Sequence, residues 1–371
     1  MLLSLTYAAL ITWLAILLLP WRPWSTRERL ECDPSATHVA LPDVSALVPA
    51  RDEVESIART LQALALQGPL ARIIMVDDQS GDGTAAAARA LGLANLEIVD
   101  GAPPPPDWSG KLWALQQGFS RISTPYTLLL DADIELHPGL LCALLDKLIR
   151  EQREMVSVMA RLPVECWWEG LLIPPFIYFF KLIYPFALAN SPSRWVAAAA
   201  GGCILIKTDA LRRIGSFAAL RGALIDDCTL ARKVKDSGGS VWLGLSQGAR
   251  AIRPYADLGS IWNMVARTAF TQLRYSSGLL LACTFLMIMI FGVPVYGLWS
   301  DSMQVRGLAA FACGLMLTTY LPVLTYYQRT WWWLPSLPLA ALLYLAMTWT
   351  SALRYWRGER SRWKNRVYER T

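Results

Sequence analysis

Tyr126-Thr127-Leu128-Leu129-Leu130-Asp131-Ala132-Asp133-Ile134 is the stretch on which the fold turns. Its first five residues form a short apolar run that follows Pro125 and ends in charge, the pattern of a buried strand. Two carboxylates two residues apart at its close require the chain to turn outward there. Hard divalent cations take oxygen ligands, and a metal already bound to phosphates takes only one or two carboxylates from the protein. Asp131-Ala132-Asp133 at a strand's carboxyl edge therefore reads as a clamp for a metal carrying a diphosphate. The alternative is an ordinary strand-to-loop exit with solvated acids, and the flanking sequence has to decide between them.

From about Val39 to Arg161 apolar runs alternate with helical patterns. Val44–Val48, Arg72–Val76, Leu96–Val99 and Tyr126–Leu130 read as strands. Ser56–Leu66, Thr84–Leu91 and Lys111–Ser120 read as helices, and Pro103–Pro106 as a rigid loop. Such alternation predicts a parallel sheet with helices on both faces. Ligands bind outside the carboxyl ends of the strands in such sheets, which is where the acidic residues fall. Val241–Leu243 reads as a last strand.

The flanks are of another kind. Residues 1–20 are almost wholly apolar and long enough to span a bilayer. They lack the positive n-region and the cleavage site of a secretory signal. Arg22, Arg27 and Arg29 follow, placing the next domain in the cytoplasm by the positive-inside rule. Gly278–Trp299, Gly307–Tyr327 and Trp331–Leu353 are three further apolar stretches, ahead of a basic tail from Arg354 to Arg370. Three crossings would put this tail opposite the catalytic domain, against the positive-inside rule. The tail's charge outranks the count, so one stretch is expected to be re-entrant or interfacial. Trp167–Asn190 is aromatic but interrupted by Pro174, Pro175, Lys181 and Pro185, and reads as an interfacial segment.

The chain is 54% hydrophobic and 17% charged with a net charge of +6, a balance that fits a membrane surface. No basic stripe interleaved with aromatics points to nucleic acid. Seven scattered cysteines without CxxC indicate neither a disulfide framework nor a zinc site. His38 and His137 are the only histidines, which leaves little room for histidine chemistry.

Four further clusters lie along the same edge. Val48-Pro49-Ala50-Arg51-Asp52-Glu53 ends a strand and opens a helix, as an acidic N-terminal turn also would. Val76-Asp77-Asp78-Gln79-Ser80-Gly81-Asp82-Gly83-Thr84 sets acids before a glycine turn and suits ribose hydroxyls or a base edge. The alternative is a loop of turn formers. Lys111 opens a helix where a diphosphate would lie, though not in P-loop spacing; a solvated lysine is the alternative. Asp226 and Asp227 either cap a helix or supply a general base. Just before the membrane block, Gln272 and Arg274 reach toward a diphosphate or sit in a basic membrane-flanking helix.

In this order, the motifs resemble the family-2, GT-A-fold glycosyltransferases over Val39 to Tyr275. The proline loop with Trp108-Ser109-Gly110-Lys111, Gly201-Gly202-Cys203 and the ending Trp363–Tyr368 are most similar to the hopene-associated members. The ceramide glucosyltransferase-like enzymes are more distant. The resemblance implies an α/β GT-A domain at 39–275, an N-terminal transmembrane helix at 1–21, a transmembrane region at 278–353 and a tail at 354–371. It implies that Asp52 or Glu53 and Asp78 hold the nucleoside, and that Asp131 and Asp133 hold the metal and sugar diphosphate. Asp227 would be the base, with Asp226 beside it. The family's Glu-Asp pair is Asp226-Asp227 here. Its Gln-x-x-Arg-Trp becomes Thr271-Gln272-Leu273-Arg274-Tyr275, keeping the arginine alone, which favours transfer of a single sugar over a processive polymer. The expected activity is inverting hexosyl transfer from a nucleotide sugar, a UDP-sugar by expectation, to a membrane-lipid hydroxyl such as a hopanoid. The expected place is the inner membrane, with the catalytic domain in the cytoplasm. A polyprenyl-phosphate transferase, a processive synthase and an inactive scaffold are the alternatives. A sugar nucleotidyltransferase is disfavoured, since no glycine-rich loop follows the first strand.

Overall fold

The computed structural model describes residues 1–33, 41–363 and 366–369. The expected domain start at Val39, His38, and Lys364, Asn365 and Arg370 of the tail lie outside the described residues. Two compact units emerge. Glu28–Pro163 with Phe186–Pro254 forms an α/β unit, and Met1–Arg27, Val164–Pro185 and Tyr255–Thr371 form a helical unit. Residues 255–275, expected at the end of the catalytic domain, thus cluster with the apolar helices.

In chain order the elements are α1 (Leu2–Leu18), β1 (Leu41–Ala50), α2 (Ile57–Ala65), β2 (Leu70–Asp77), α3 (Thr84–Arg89), β3 (Leu96–Asp100), α4 (Gly110–Phe119), β4 (Tyr126–Leu130), β5 (Ile134–Leu136) and α5 (Leu140–Arg150). There follow β6 (Met155–Arg161), α6 (Trp167–Ile183), α7 (Phe186–Ala189), β7 (Cys203–Lys207), α8 (Thr208–Arg213), α9 (Asp226–Asp236), β8 (Val241–Ala251), α10 (Leu258–Ala266) and α11 (Ala269–Gln272). The chain closes with α12 (Ser277–Met287), α13 (Val293–Gly297), α14 (Met303–Tyr326), α15 (Leu337–Trp356) and the pair β9 (Glu359–Trp363) and β10 (Arg366–Glu369).

The eight-stranded sheet of the α/β unit has the order β3-β2-β1-β4-β7-β6-β8-β5. Its strands are continuous apolar runs because both faces are covered. Val44, Ala46 and Val48 of β1 join α2, α3 and α5 in one core, while Leu47 joins α4, α8 and α9 in the other. Helices on both faces are as expected, and the four strands expected from the alternation, β1 to β4, are parallel to one another; the later strands make the sheet mixed. β1 runs parallel to β2 and β4, whereas β7 runs antiparallel to both β4 and β6, and β5 antiparallel to β8. An apolar run reveals a strand but not its direction, which the connection sets. Here Gly201-Gly202 leads straight into β7, so that Cys203 pairs with Leu130. β8 extends well beyond the expected Val241–Leu243. Gly244 leaves room for the Trp242 ring, which a Cβ there would meet at 2.1 Å, and such glycines obscure the strand pattern.

In the helical unit, three stretches are long and apolar enough to cross a membrane: Ser277–Gly297, Met303–Tyr326 and Trp331–Trp356. The expected helix over 1–21 is corrected to the 17 residues of α1, because Leu19 turns extended ahead of Pro20. The Trp13 indole N–H donates to the Ile290 carbonyl at 2.7 Å, at a single π turn between α12 and α13. α6 is continuous through Pro174 and Pro175 and buries Leu171, Leu172, Ile177, Tyr178 and Lys181. The expected interfacial segment 167–190 is therefore divided between a packed helix of this unit and α7 of the α/β unit. An apolar cavity of about 650 Å³ is lined by Phe291, Tyr296, Trp299, Met316 and Leu342, among others.

The last turn of α15 packs beside the segment that leads into α12. Arg354 donates to the Asn263 side chain at 2.7 Å, and Tyr355 stacks on Tyr275 with centroids 4.4 Å apart. α15 ends beside the segment that leads into α12, although three apolar stretches lie between.

Candidate active site

Strand polarity gathers the site. β1, β2 and β4 run parallel and end at Ala50, Asp77 and Leu130, while β7, running back, begins at Cys203 beside Leu130. The Asp131 N–H donates to the Gly202 carbonyl at 3.1 Å, fixing the exit of β4 against the glycine turn. Arg51 to Glu53, Asp78, Asp131, Asp133 and Gly201 thus share one sheet edge. α4 and α9 start there too, bringing Lys111 and the Asp226-Asp227 pair.

Lys111 links the two acidic groups. Its ammonium lies 2.7 Å from Asp131 and 3.8 Å from Asp226. Burial opposes its charge, but Asp131, Asp226 and Asp227 outweigh burial and hold it firmly protonated. Ser109 positions it by capping α4, its hydroxyl accepting the Leu112 N–H at 3.3 Å. Asp227 accepts the Gly201 N–H at 2.8 Å and the Cys228 N–H at 2.7 Å. Burial, then the charge of Asp226, pushes its carboxyl up to about 6, against these two amides and Lys111. An aspartate near that value is ionised at neutral pH yet is a stronger base than an exposed one. A cavity of about 20 Å³, room for one water, lies under this group above Leu115, Leu129 and Leu230.

On the other side, Asp133 is raised to about 6 by burial and then by the charges of Asp131 and Glu53, against Arg253 and Lys111. Glu53 is buried, ion-paired to Arg253, and accepts the Ser56 hydroxyl at 2.7 Å. Asp78 is 1% exposed, with Arg51 3.8 Å from its carboxylate and 2.6 Å from its carbonyl oxygen. The Asp52 carboxylate accepts the Gly81 N–H at 2.9 Å, and the Asp52 N–H donates to the Ser80 hydroxyl at 3.0 Å. The loops after β1 and β2 are thereby stitched together. Asp52 and Gln79 both hold φ in the left-handed region.

Asp52, Glu53, Asp78, Lys111, Asp131, Asp133, Asp226 and Asp227 all belong to the edge of the α/β unit. Gln272 and Arg274 belong to the helical unit, where the Gln272 side-chain carbonyl accepts the Tyr184 hydroxyl at 2.6 Å. Three roles escape sequence reasoning. Arg253 carries no motif and meets Glu53 across 200 residues of chain. Arg51 sits inside a quoted motif but draws no notice beside its acids. Gly201 acts through its backbone, and a Cβ there would lie 3.3 Å from Asp227 and 3.5 Å from Lys111.

The residues fit a divalent cation bound jointly with a diphosphate. Among the described residues, no three His, Cys, Asp or Glu side chains form a metal-holding group. Asp131 and Asp133 stand at that edge as two carboxylates, the number such a site takes from a protein. The negative charge that raises Asp133 is of the sign a cation relieves.

A mixed sheet with helices on both faces and acids gathered at one edge is a GT-A-like α/β fold, here joined to apolar helices. Residues 45–215 match the family model described as Glycosyl transferase family 2. A 4,4'-diaponeurosporenoate glycosyltransferase of Staphylococcus haemolyticus is 33% identical over 94 residues, 25% of this chain and 25% of the relative. Its counterpart in Staphylococcus aureus is 33% identical over 88 residues, 24% of this chain and 23% of the relative. The chain thus spans about a quarter of the length of these curated relatives. The solved mannosyltransferase PcManGT from Pyrobaculum calidifontis, in complex with GDP-Man and Mn²⁺, is similar with a TM-score of 0.60 at 18% identity. That match covers 97% of this chain and 100% of the other, and establishes likeness of fold.

Proposed function

We propose that this chain is an inverting glycosyltransferase that moves one sugar from a nucleotide diphosphate sugar, a UDP-sugar by preference, to an amphipathic lipid. The observation that carries the reading is Asp227. It is oriented by two backbone N–H groups at the same edge as Asp131, with Lys111 between the two acidic groups. Asp52, Glu53 and Asp78 form the nucleoside side of the site, Glu53 in partnership with Arg253. Asp131 and Asp133 would hold Mg²⁺ or Mn²⁺ with the diphosphate, and the metal would supply charge neutralisation to the leaving group. Lys111 places a second positive charge beside that position. Asp227 takes the proton of the acceptor hydroxyl as its oxygen attacks the anomeric carbon from the face opposite the diphosphate. The C–O bond to the diphosphate breaks as the new glycosidic bond forms, inverting the centre.

The lipid class is supported by the three apolar helices and the 650 Å³ apolar cavity. A hopanoid is the acceptor carried over from the resemblance. Arg22, Arg27 and Arg29 after α1, and the exit of α15 beside the entry to α12, support a cytoplasmic catalytic domain at the inner membrane. The Staphylococcus relatives favour a second reading, in which the acceptor is a lipid acid. A carboxylate or phosphate acceptor is already an anion and needs no base.

Membranes carrying the full chain, given a panel of labelled nucleotide sugars with a hopanoid and a lipid acid, separate these readings. Sugar transfer to the hydroxyl lipid that chelation abolishes and Asp227→Asn removes supports the proposal. Transfer surviving chelation sinks the metal role, and transfer indifferent to Asp227→Asn moves the acceptor to the anionic class.

A further inference from the structure

A second polar cluster lies in the helical unit, apart from any residue used above. Arg329 follows α14. Its guanidinium stacks over the Trp333 ring at 4.8 Å and sits against Gly170, where a Cβ would come within 2.9 Å of it. Gly170 thus leaves the space that the guanidinium and the Trp333 ring fill. The Arg329 Nε is buried without a hydrogen-bond partner, and so is the hydroxyl of Tyr320, a residue wholly inside the unit. Arg329 and Tyr320 lie within electrostatic range of each other. Two neighbouring tyrosines differ: the Tyr178 hydroxyl pairs with Thr319 at 2.8 Å, and the Tyr344 hydroxyl donates to the Leu172 carbonyl at 2.8 Å.

Arginine offers donors only and does not lose its proton, and a buried donor left unmade is costly. A cationic fork and an inward hydroxyl together ask for an acceptor that is also an anion. Right after Arg329 come Trp331 and Trp332, stacked at 3.9 Å and exposed by 58% and 71%. Exposed tryptophans beside an apolar helix mark the headgroup level of a bilayer. We infer that Arg329 and Tyr320, seated by Trp333 and Gly170, form a binding site for the anionic headgroup, phosphate or carboxylate, of a membrane lipid. The inference rests on the helical unit being membrane-embedded. It does not rest on sugar transfer, and its readout is lipid retention.

The test uses the purified full chain in detergent, with native mass spectrometry following retained phosphatidylglycerol against phosphatidylcholine of the same acyl chains. Wild type is expected to keep the anionic lipid preferentially. Arg329→Gln should weaken that preference about tenfold, with Arg329→Lys in between because a point charge lacks the fork. Tyr320→Phe should weaken it about threefold without lowering the unfolding temperature, since it deletes a hydroxyl that has no protein partner. Tyr320→Phe also keeps the test decisive if the arginine variants fail to fold. Equal retention of the two lipids, or unchanged preference in Tyr320→Phe, overturns the assignment. Displacement of the lipid by inorganic phosphate overturns the lipid as the source of the anion.

Discussion

Each unit holds a carboxylate with backbone N–H groups, and the two are set up differently. In the helical unit Glu169 is wholly buried. It accepts N–H groups from Glu165 at 2.7 Å, Cys166 at 3.1 Å and Tyr255 at 2.6 Å. Those donors stand where the chain enters the unit at Val164 and again at Tyr255. In the α/β unit Asp227 has two such donors, a like charge beside it, and a place at the ligand edge of the sheet. Amides that saturate a carboxylate spend its lone pairs on holding chain together. Amides that orient a carboxylate against a like charge leave it basic and aimed.

The comparison breaks most visibly if the two residues are exchanged in role. Asp227→Asn should lower kcat by about a thousandfold, the range for loss of a general base, with nucleotide binding measured by calorimetry left intact. Glu169→Gln should do the reverse. It replaces one acceptor oxygen by an amide NH₂ facing an N–H, at a cost of about 3 kcal/mol for lost charge-assisted bonds. A lower unfolding temperature with unchanged kcat per folded molecule is the expected result. A fall in kcat at constant stability would put Glu169 in the chemistry.

A pH profile sharpens the contrast further. Burial and Asp226 raise the Asp227 carboxyl to about 6, and its basic form is the ionised one. Transfer to a hydroxyl acceptor should therefore be full above that value and decline as pH falls through it. A profile flat from pH 7 to about 5 would fit an acceptor already anionic. The smallest effect is expected from Gly201→Ala. Its Cβ would crowd Asp227 at 3.3 Å, within reach of a small shift. A loss of about threefold in kcat with little change in KM is expected for a slightly displaced base.

Legibility in the sequence followed locality. β4 was read to the residue, because Pro125 and Asp131 bound its apolar run. Lys111 was visible at the head of α4, but not its contacts with Asp131 and Asp226, which depend on how α4 and α9 meet the edge. β5 is too short at three residues to read as a strand, Gly201-Gly202 interrupts the small apolar stretch that leads into β7, and β6 goes unread although Met155–Met159 is an apolar run. The prolines of α6 suggested a break that packing against α14 and α15 overrides, with Leu171 and Leu172 buried.

By itself the sequence determined the α/β alternation, the order of the acidic motifs along one edge and the apolar character of the flanks. Each of these is written in neighbouring residues, through apolar periodicity, turn chemistry and charge. Only the tertiary structure decided that the sheet is mixed, that Arg253 neutralises Glu53, that the amide of Gly201 aims Asp227, and that α15 ends beside Tyr275. Those outcomes join residues far apart in the chain. Their energies come from burial and from satisfying backbone donors, and neither is specified until the elements have packed.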